Sequence, residues 1–138
     1  MTPLCLQDAM IAEIRNLLPH FQVWGQHLPP RKQEKDYSIY PFCQVLLENG
    51  EDSANASQEI ALVIAVRDPS EDMQGYRDVA NVMQRIREHF CKYPEIDRRY
   101  SVEKIQWMFD DSSTYPVFVG AVLLHVSIPE IEIYSGLT

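Results

Sequence analysis

The chain has 138 residues, with 12 Lys+Arg against 20 Asp+Glu and a formal net charge of −8 at pH 7. A single domain of this length hides about two-thirds of its unfolded surface, enough for a core without metals or disulfide staples. An apolar fraction of 46% and a charged fraction of 23% exclude disordered, collagen-like and coiled-coil chains. Its few basic groups (Arg31-Lys32 with Lys35, Arg85 with Arg87, Arg98-Arg99) are interrupted by Glu34, Asp36, Glu88 and Asp97. That pattern speaks against general binding to a phosphate backbone or to anionic lipid, because both need clustered cations.

In chain order, residues 6–18 predict a helix, since Leu6, Met10, Ile14, Leu17 and Leu18 recur on one side and Pro19 closes the run. Residues 19–38 follow neither helical nor strand period and carry Pro29-Pro30 followed by a charged stretch, which predicts an exposed loop or arm. A first strand begins at Tyr40-Pro41-Phe42 and runs to Glu48, with Pro41 at its start or on an edge. Asn49-Gly50 is a turn signal, although polar residues through Ser57 lengthen the connection. A second strand, 58–67, sets Ile60, Leu62, Ile64 and Val66 against Ala61, Val63 and Ala65, and Asp68-Pro69-Ser70 breaks it.

Ser70, Glu71 and Asp72 offer a cap and carboxylates to a second helix from about Met73 to Cys91. Its apolar stripe is Tyr76, Val79, Met83, Ile86 and Phe90, and Tyr93-Pro94 ends it. A third strand, 100–109, places Glu103, Ile105, Trp107 and Phe109 opposite Val102, Lys104, Gln106 and Met108, and the Asp110-Asp111-Ser112-Ser113 turn leads to a last strand over 116–128. Residues 129–138 form a C-terminal tail. The order α-β-β-α-β-β predicts one α+β domain over 1–138, with a four-stranded, mostly antiparallel sheet packed by two helices. The second and fourth strands are apolar on both sides, whereas a sheet solvated on one face alternates apolar with polar. If the helices share a face, self-association or wrapping by the first helix and the arm must cover the other.

Chemistry is sparse. His20, His27, His89 and His125 have no metal-ligand spacing, and Cys5, Cys43 and Cys91 form no Cys-x-x-Cys pair. An odd, widely spaced set of thiols fits a reducing compartment. With no secretory signal and no apolar run near the roughly 20 residues that span a bilayer, the expected location is cytoplasm. Cys43 beside His125 lacks a nucleophile signature, so a buried thiol is expected. Adjacent carboxylates at Glu51-Asp52, Glu71-Asp72 and Asp110-Asp111 read as solvated loop tips, and the five scattered glycines build no phosphate loop. No catalytic residue, cofactor or metal is expected.

Taken in order, Tyr40-Pro41-Phe42, Val45-Leu46-Leu47-Glu48-Asn49-Gly50, the strand Glu59 to Val66 ending in Arg67-Asp68-Pro69, Gly75-Tyr76-Arg77-Asp78-Val79 at a helix start, the Trp107 strand and Tyr115-Pro116-Val117-Phe118-Val119-Gly120 form a set. The set resembles the tail-completion, or tail-terminator, proteins of tailed bacteriophages and prophages, over roughly residues 38–130. The resemblance implies a non-enzymatic subunit of a hexameric ring that caps the tail tube, stops its polymerisation and offers a surface to the head–tail connector. Its partners would be itself, the tail tube protein and the connector, first in the cytoplasm and then in the virion tail. An acidic balance would suit a ring that passes DNA. Expected contact residues are Pro30, Arg31, Lys32, Lys35 and Asp36 on the arm and Glu51, Asp52, Asp110 and Asp111 at hairpin ends. The rival classes are a small α+β enzyme or ligand-binding domain and a dimeric adaptor.

Overall fold

A computed structural model describes residues 3–30, 37–52, 56–70, 72, 74–110 and 115–128. Helix α1 spans Pro3–Leu17 and α2 spans Gln74–Lys92; the strands are β1 (Gln22–Trp24), β2 (Phe42–Glu51), β3 (Ser57–Arg67), β4 (Glu95–Ile96), β5 (Tyr100–Phe109) and β6 (Val117–Ser127). They form one six-stranded sheet in the order β1-β2-β3-β6-β5-β4. β1 pairs with β2 in parallel and the other neighbours are antiparallel, so the sheet is mixed.

This corrects the expected four-stranded, mostly antiparallel sheet, although the class remains α+β. The two extra strands are short edge pieces of three and two residues, too brief to show a period of two. β1 lies inside the stretch read as an arm. Gln22-Val23-Trp24 aligns with Phe42-Cys43-Gln44, and the buried Val23 fixes it to the core. Beyond Trp24 the Gln26 side chain extends the edge: its Oε1 accepts from the Leu47 N–H (3.0 Å) and its Nε2 donates to the Leu47 carbonyl (3.2 Å). The buried Gln7 of α1 donates to the Val45 carbonyl (2.9 Å) and to Gln26 Oε1 (3.1 Å), tying helix to edge. A side-chain amide here replaces a missing peptide, which keeps buried backbone groups paired.

Both helices lie on one face. Leu6, Met10 and Ile14 of α1 and Val79, Met83, Ile86 and Phe90 of α2 bury against Cys43, Val45, Ile60, Leu62, Ile64, Val122 and Leu124 in one core. His89 Nε2 and Glu13 Oε1, 2.8 Å apart, join the two helices. α1 touches both edge strands, β1 and β4, so the sheet curls around the helices as a half-barrel. α2 sits close because β6 offers no side chain at Gly120: a Cβ there would lie 2.4 Å from Met83 Sδ and 2.8 Å from Val79 Cγ1.

Two irregularities change which side chains share a face. The β2–β3 register shifts between Leu47 and Gly50, and Asn49-Gly50 lies within β2 rather than in a turn. The β5–β6 register shifts between Val102 and Lys104. Buried Val102 therefore joins Ile105, Trp107 and Phe109 on the helix side, and the expected grouping of Val102 with Lys104 does not hold. A bulge adds one residue to one strand, which inverts the alternation beyond it.

Candidate interface

Register defines the face that α1 and α2 leave uncovered. Leu46 pairs with Ala61 and Gln44 with Val63 across β2–β3; Ala61 then pairs with Leu123, Val63 with Ala121 and Ala65 with Val119 across β3–β6. Gln106 and Met108 continue the rows on β5. Leu46, Val63, Val119, Ala121 and Leu123 are half-buried and Met108 is 58% exposed. A contiguous apolar surface of this kind marks a binding surface on a soluble protein more often than a scattered one does.

One end of this face is polar. His125 Nε2 lies 2.8 Å from Gln106 Oε1, and its Nδ1 lies 3.4 Å from Glu59 Oε1. Lys104 is paired in register with His125. Ser127 Oγ reaches Glu103 Oε1 at 3.1 Å and the Ser101 carbonyl at 3.4 Å, so its hydroxyl is directed to a carboxylate rather than to His125. Glu103, His125, Ser127, Ala56 and Ile128 border a shallow pocket of about 340 Å³. Carboxylate, imidazole and hydroxyl stand there as a hydrogen-bonding rim beside the apolar rows, not as a nucleophile with its base.

The other end is roofed by aromatics. Tyr40 packs on Phe42 with ring centroids 5.4 Å apart, Tyr37 lies 6.4 Å from Tyr40, and the Arg67 guanidinium stands 4.0 Å from the Tyr37 ring centroid. Gln22 Nε2 donates to the Ser38 carbonyl, which moors the segment. This roof accounts for the burial of Phe42 and Ala65 and ends before Val63. The first helix does not wrap the second face, and among the described residues the chain between β1 and β2 covers one corner.

The expected contact residues do not form one cluster. Pro30, Glu51, Asp52 and Asp110 are exposed; Arg31, Lys32, Lys35, Asp36 and Asp111 lie outside the described residues. Glu51 pairs with Ser57, which pairs with Ser127, whereas Asp110 follows Phe109, the partner of Gly120, at the opposite end of the sheet. Cys43 pairs with Ile64 on the helix side while His125 lies on the open side, so the structure separates them. Burial pushes the Cys43 thiol up to about 12. His20 and His27 are exposed, and among the described residues no group of three His, Cys, Asp or Glu is placed to hold a metal ion.

A second exposed feature follows β5. Trp107 is 48% exposed with the Arg87 guanidinium 4.3 Å from its ring centroid, and Tyr76, 47% exposed, stacks on Phe109 at 4.7 Å. The helical stripe assigned Tyr76 to the core, but it lies at the margin where α2 meets β5. The Glu59–His125–Gln106 group was also missing from the sequence reading. Its only signal there is the placement of His125 on the face opposite the helices.

No family model and no curated protein matches the sequence. Among solved structures, one chain whose designation states no function aligns with a TM-score of 0.51 at 9% identity, covering 89% of this chain and 95% of its own. At that identity the likeness shows a shared fold alone. Among the described residues no helix is long and apolar enough to cross a membrane.

Proposed function

We propose that this protein is a structural subunit of the phage tail-completion type, which assembles with copies of itself into a ring on the end of a tail tube. The observation that carries the reading is the sheet face left open among the described residues, apolar along β3 and β6 and edged by the Glu59, His125 and Gln106 group. An apolar centre with a hydrogen-bonding rim is the composition of a protein–protein interface, where about 800 Å² per partner is usual. The ordered motifs from Tyr40 to Gly120 supply the tail-specific part of the reading. A heterologous contact whose rotation divides a full turn closes into a ring and leaves no end for lateral growth, which suits a part that stops a polymer.

Two measurements test it. Light scattering on the pure protein, alone and with tail tubes, is expected to give a hexamer-sized species or tube-end decoration. Electron micrographs of a deletion strain are expected to show tails of abnormal length. Normal, head-joined particles from that strain would exclude the role. The pocket beside Glu103 and Ser127 favours one rival, a small-ligand domain. Saturable binding of a small molecule there by a chain that stays monomeric on tubes would favour it instead.

A further inference from the structure

Among the described residues, the outer edge of β5 is open for most of its length. β4 pairs only with Tyr100 and Ser101, and the Val102 amide donates to the Pro94 carbonyl. From Glu103 to Phe109 no described strand lies on that side. Sheet edges in soluble proteins are usually short, charged or broken by proline. This one runs Ile105-Gln106-Trp107-Met108-Phe109 without a charge, and Trp107 and Met108 are 48% and 58% exposed. Unpaired peptide groups beside exposed apolar side chains make a receptor for an added strand.

We propose that residues 130–134 of a second copy add to this edge and lock one subunit to the next. The inference rests on the reading that the chain assembles with itself. Glu130-Ile131-Glu132-Ile133-Tyr134 alternates with a period of two. The register proposed sets Ile131 and Ile133 on the side of Ile105 and Trp107, which puts Glu130 and Glu132 on the side of Lys104. The acidic row thus meets the one cation of the β5 sequence, and the aliphatic row meets its exposed indole. The strand comes from a neighbour because of where the chain leaves the sheet. The Ile128 amide donates to the Ala56 carbonyl, on the β3 side of β6, and β4 with Pro94 occupies the way around the start of β5. Only Pro129 separates Ile128 from Glu130, a reach of about 7 Å in extended form, so the neighbour's β5 edge lies beside the end of β6.

The test uses the full-length chain and its Ile131→Lys/Ile133→Lys variant, whose changes fall outside every described element. Native mass measurement and amide hydrogen exchange are read on both. The expected result is an assembled wild type whose 103–109 amides exchange at least about tenfold more slowly than those of a disassembled variant, with equal helix content in the two. A variant that assembles like wild type, with unchanged exchange over 103–109, would overturn strand addition and leave self-assembly standing. A wild type that stays monomeric with and without tubes removes the assembly reading, and this inference with it.

Discussion

At Gly120 a single missing side chain sets how closely α2 approaches β6. A methyl group there would meet Met83 Sδ at 2.4 Å and Val79 Cγ1 at 2.8 Å, and both neighbours are buried. Met83 can turn, but Val79 has one strongly preferred rotamer in a helix. Gly120→Ala is therefore expected to cost about 1–3 kcal/mol, the usual cost of overpacking, read as a lower urea midpoint at unchanged slope. Adding Val79→Ala should return part of it. Cys43 gives a second test at this scale. Its thiol is fully buried and raised to about 12, whereas Cys5 and Cys91 are exposed. A maleimide at pH 7.5 should label the two exposed thiols of the native chain. The third should appear only on unfolding; fast labelling of all three would show that the core opens readily.

The elements differ in how far residues alone foretell them. α2, β3 and β6 are long and strongly periodic, and their apolar stripes are the buried ones: Val79, Met83, Ile86 and Phe90 on α2, and Ile60, Leu62 and Ile64 on β3. β1 leaves no mark in the sequence because three residues pairing in parallel with β2 carry no period, and β4 is shorter still. The bulge after Val102 is equally silent, since it depends on the partner strand. The start of α2 was legible from its capping residues, and its chemistry is specific. The Ser70 backbone N–H donates to Asp68 Oδ1 (3.0 Å), and the Ser70 hydroxyl lies 2.9 Å from Asp68 Oδ2 and 2.5 Å from Asp72 Oδ1, so its single proton serves one carboxylate at a time. The Gln74 N–H donates to Asp72 Oδ1 at 3.1 Å. Hydrogen bonds from Ser70 hold both carboxyls below the usual carboxylate range, through its backbone first for Asp68 and its hydroxyl first for Asp72. A pKa lowered on folding stabilises the native state above the unfolded value of about 3.9, and that contribution disappears as pH falls through the folded value. Ser70→Ala should thus melt below wild type at pH 7, and the gap should narrow as pH is lowered past 4. A gap independent of pH would assign the loss to something other than these carboxylates.

For the molecule as a whole, the question is what the second face of the sheet meets. Strands 58–67 and 116–128 show two apolar faces as bare sequence, so a second apolar face was legible there. Its position was not, because only the shared side of α1 and α2 decides which face stays open. Nor were Glu59 and Gln106 foreseeable as the neighbours of His125, since register across β3, β6 and β5 is a long-range property. Leu123 lies on the open face, away from the core under the helices. It pairs with Ala61 and Gln106 in the centre of the open rows, is half-buried, and packs under no helix. In an isolated subunit a charge there can reach water, so Leu123→Lys should unfold close to wild type, as surface substitutions usually do within about 0.5 kcal/mol. In an assembly the same ammonium would be sealed against Val63, Ala121 and their counterparts without a partner, and a buried unpaired charge costs several kcal/mol. The expected result is unchanged urea unfolding with self-association weakened at least about a hundredfold, equal to roughly 2.7 kcal/mol. Assembly at wild-type concentration would place the contact surface elsewhere on the molecule, while a collapse in stability would mean that this face is covered within the single chain.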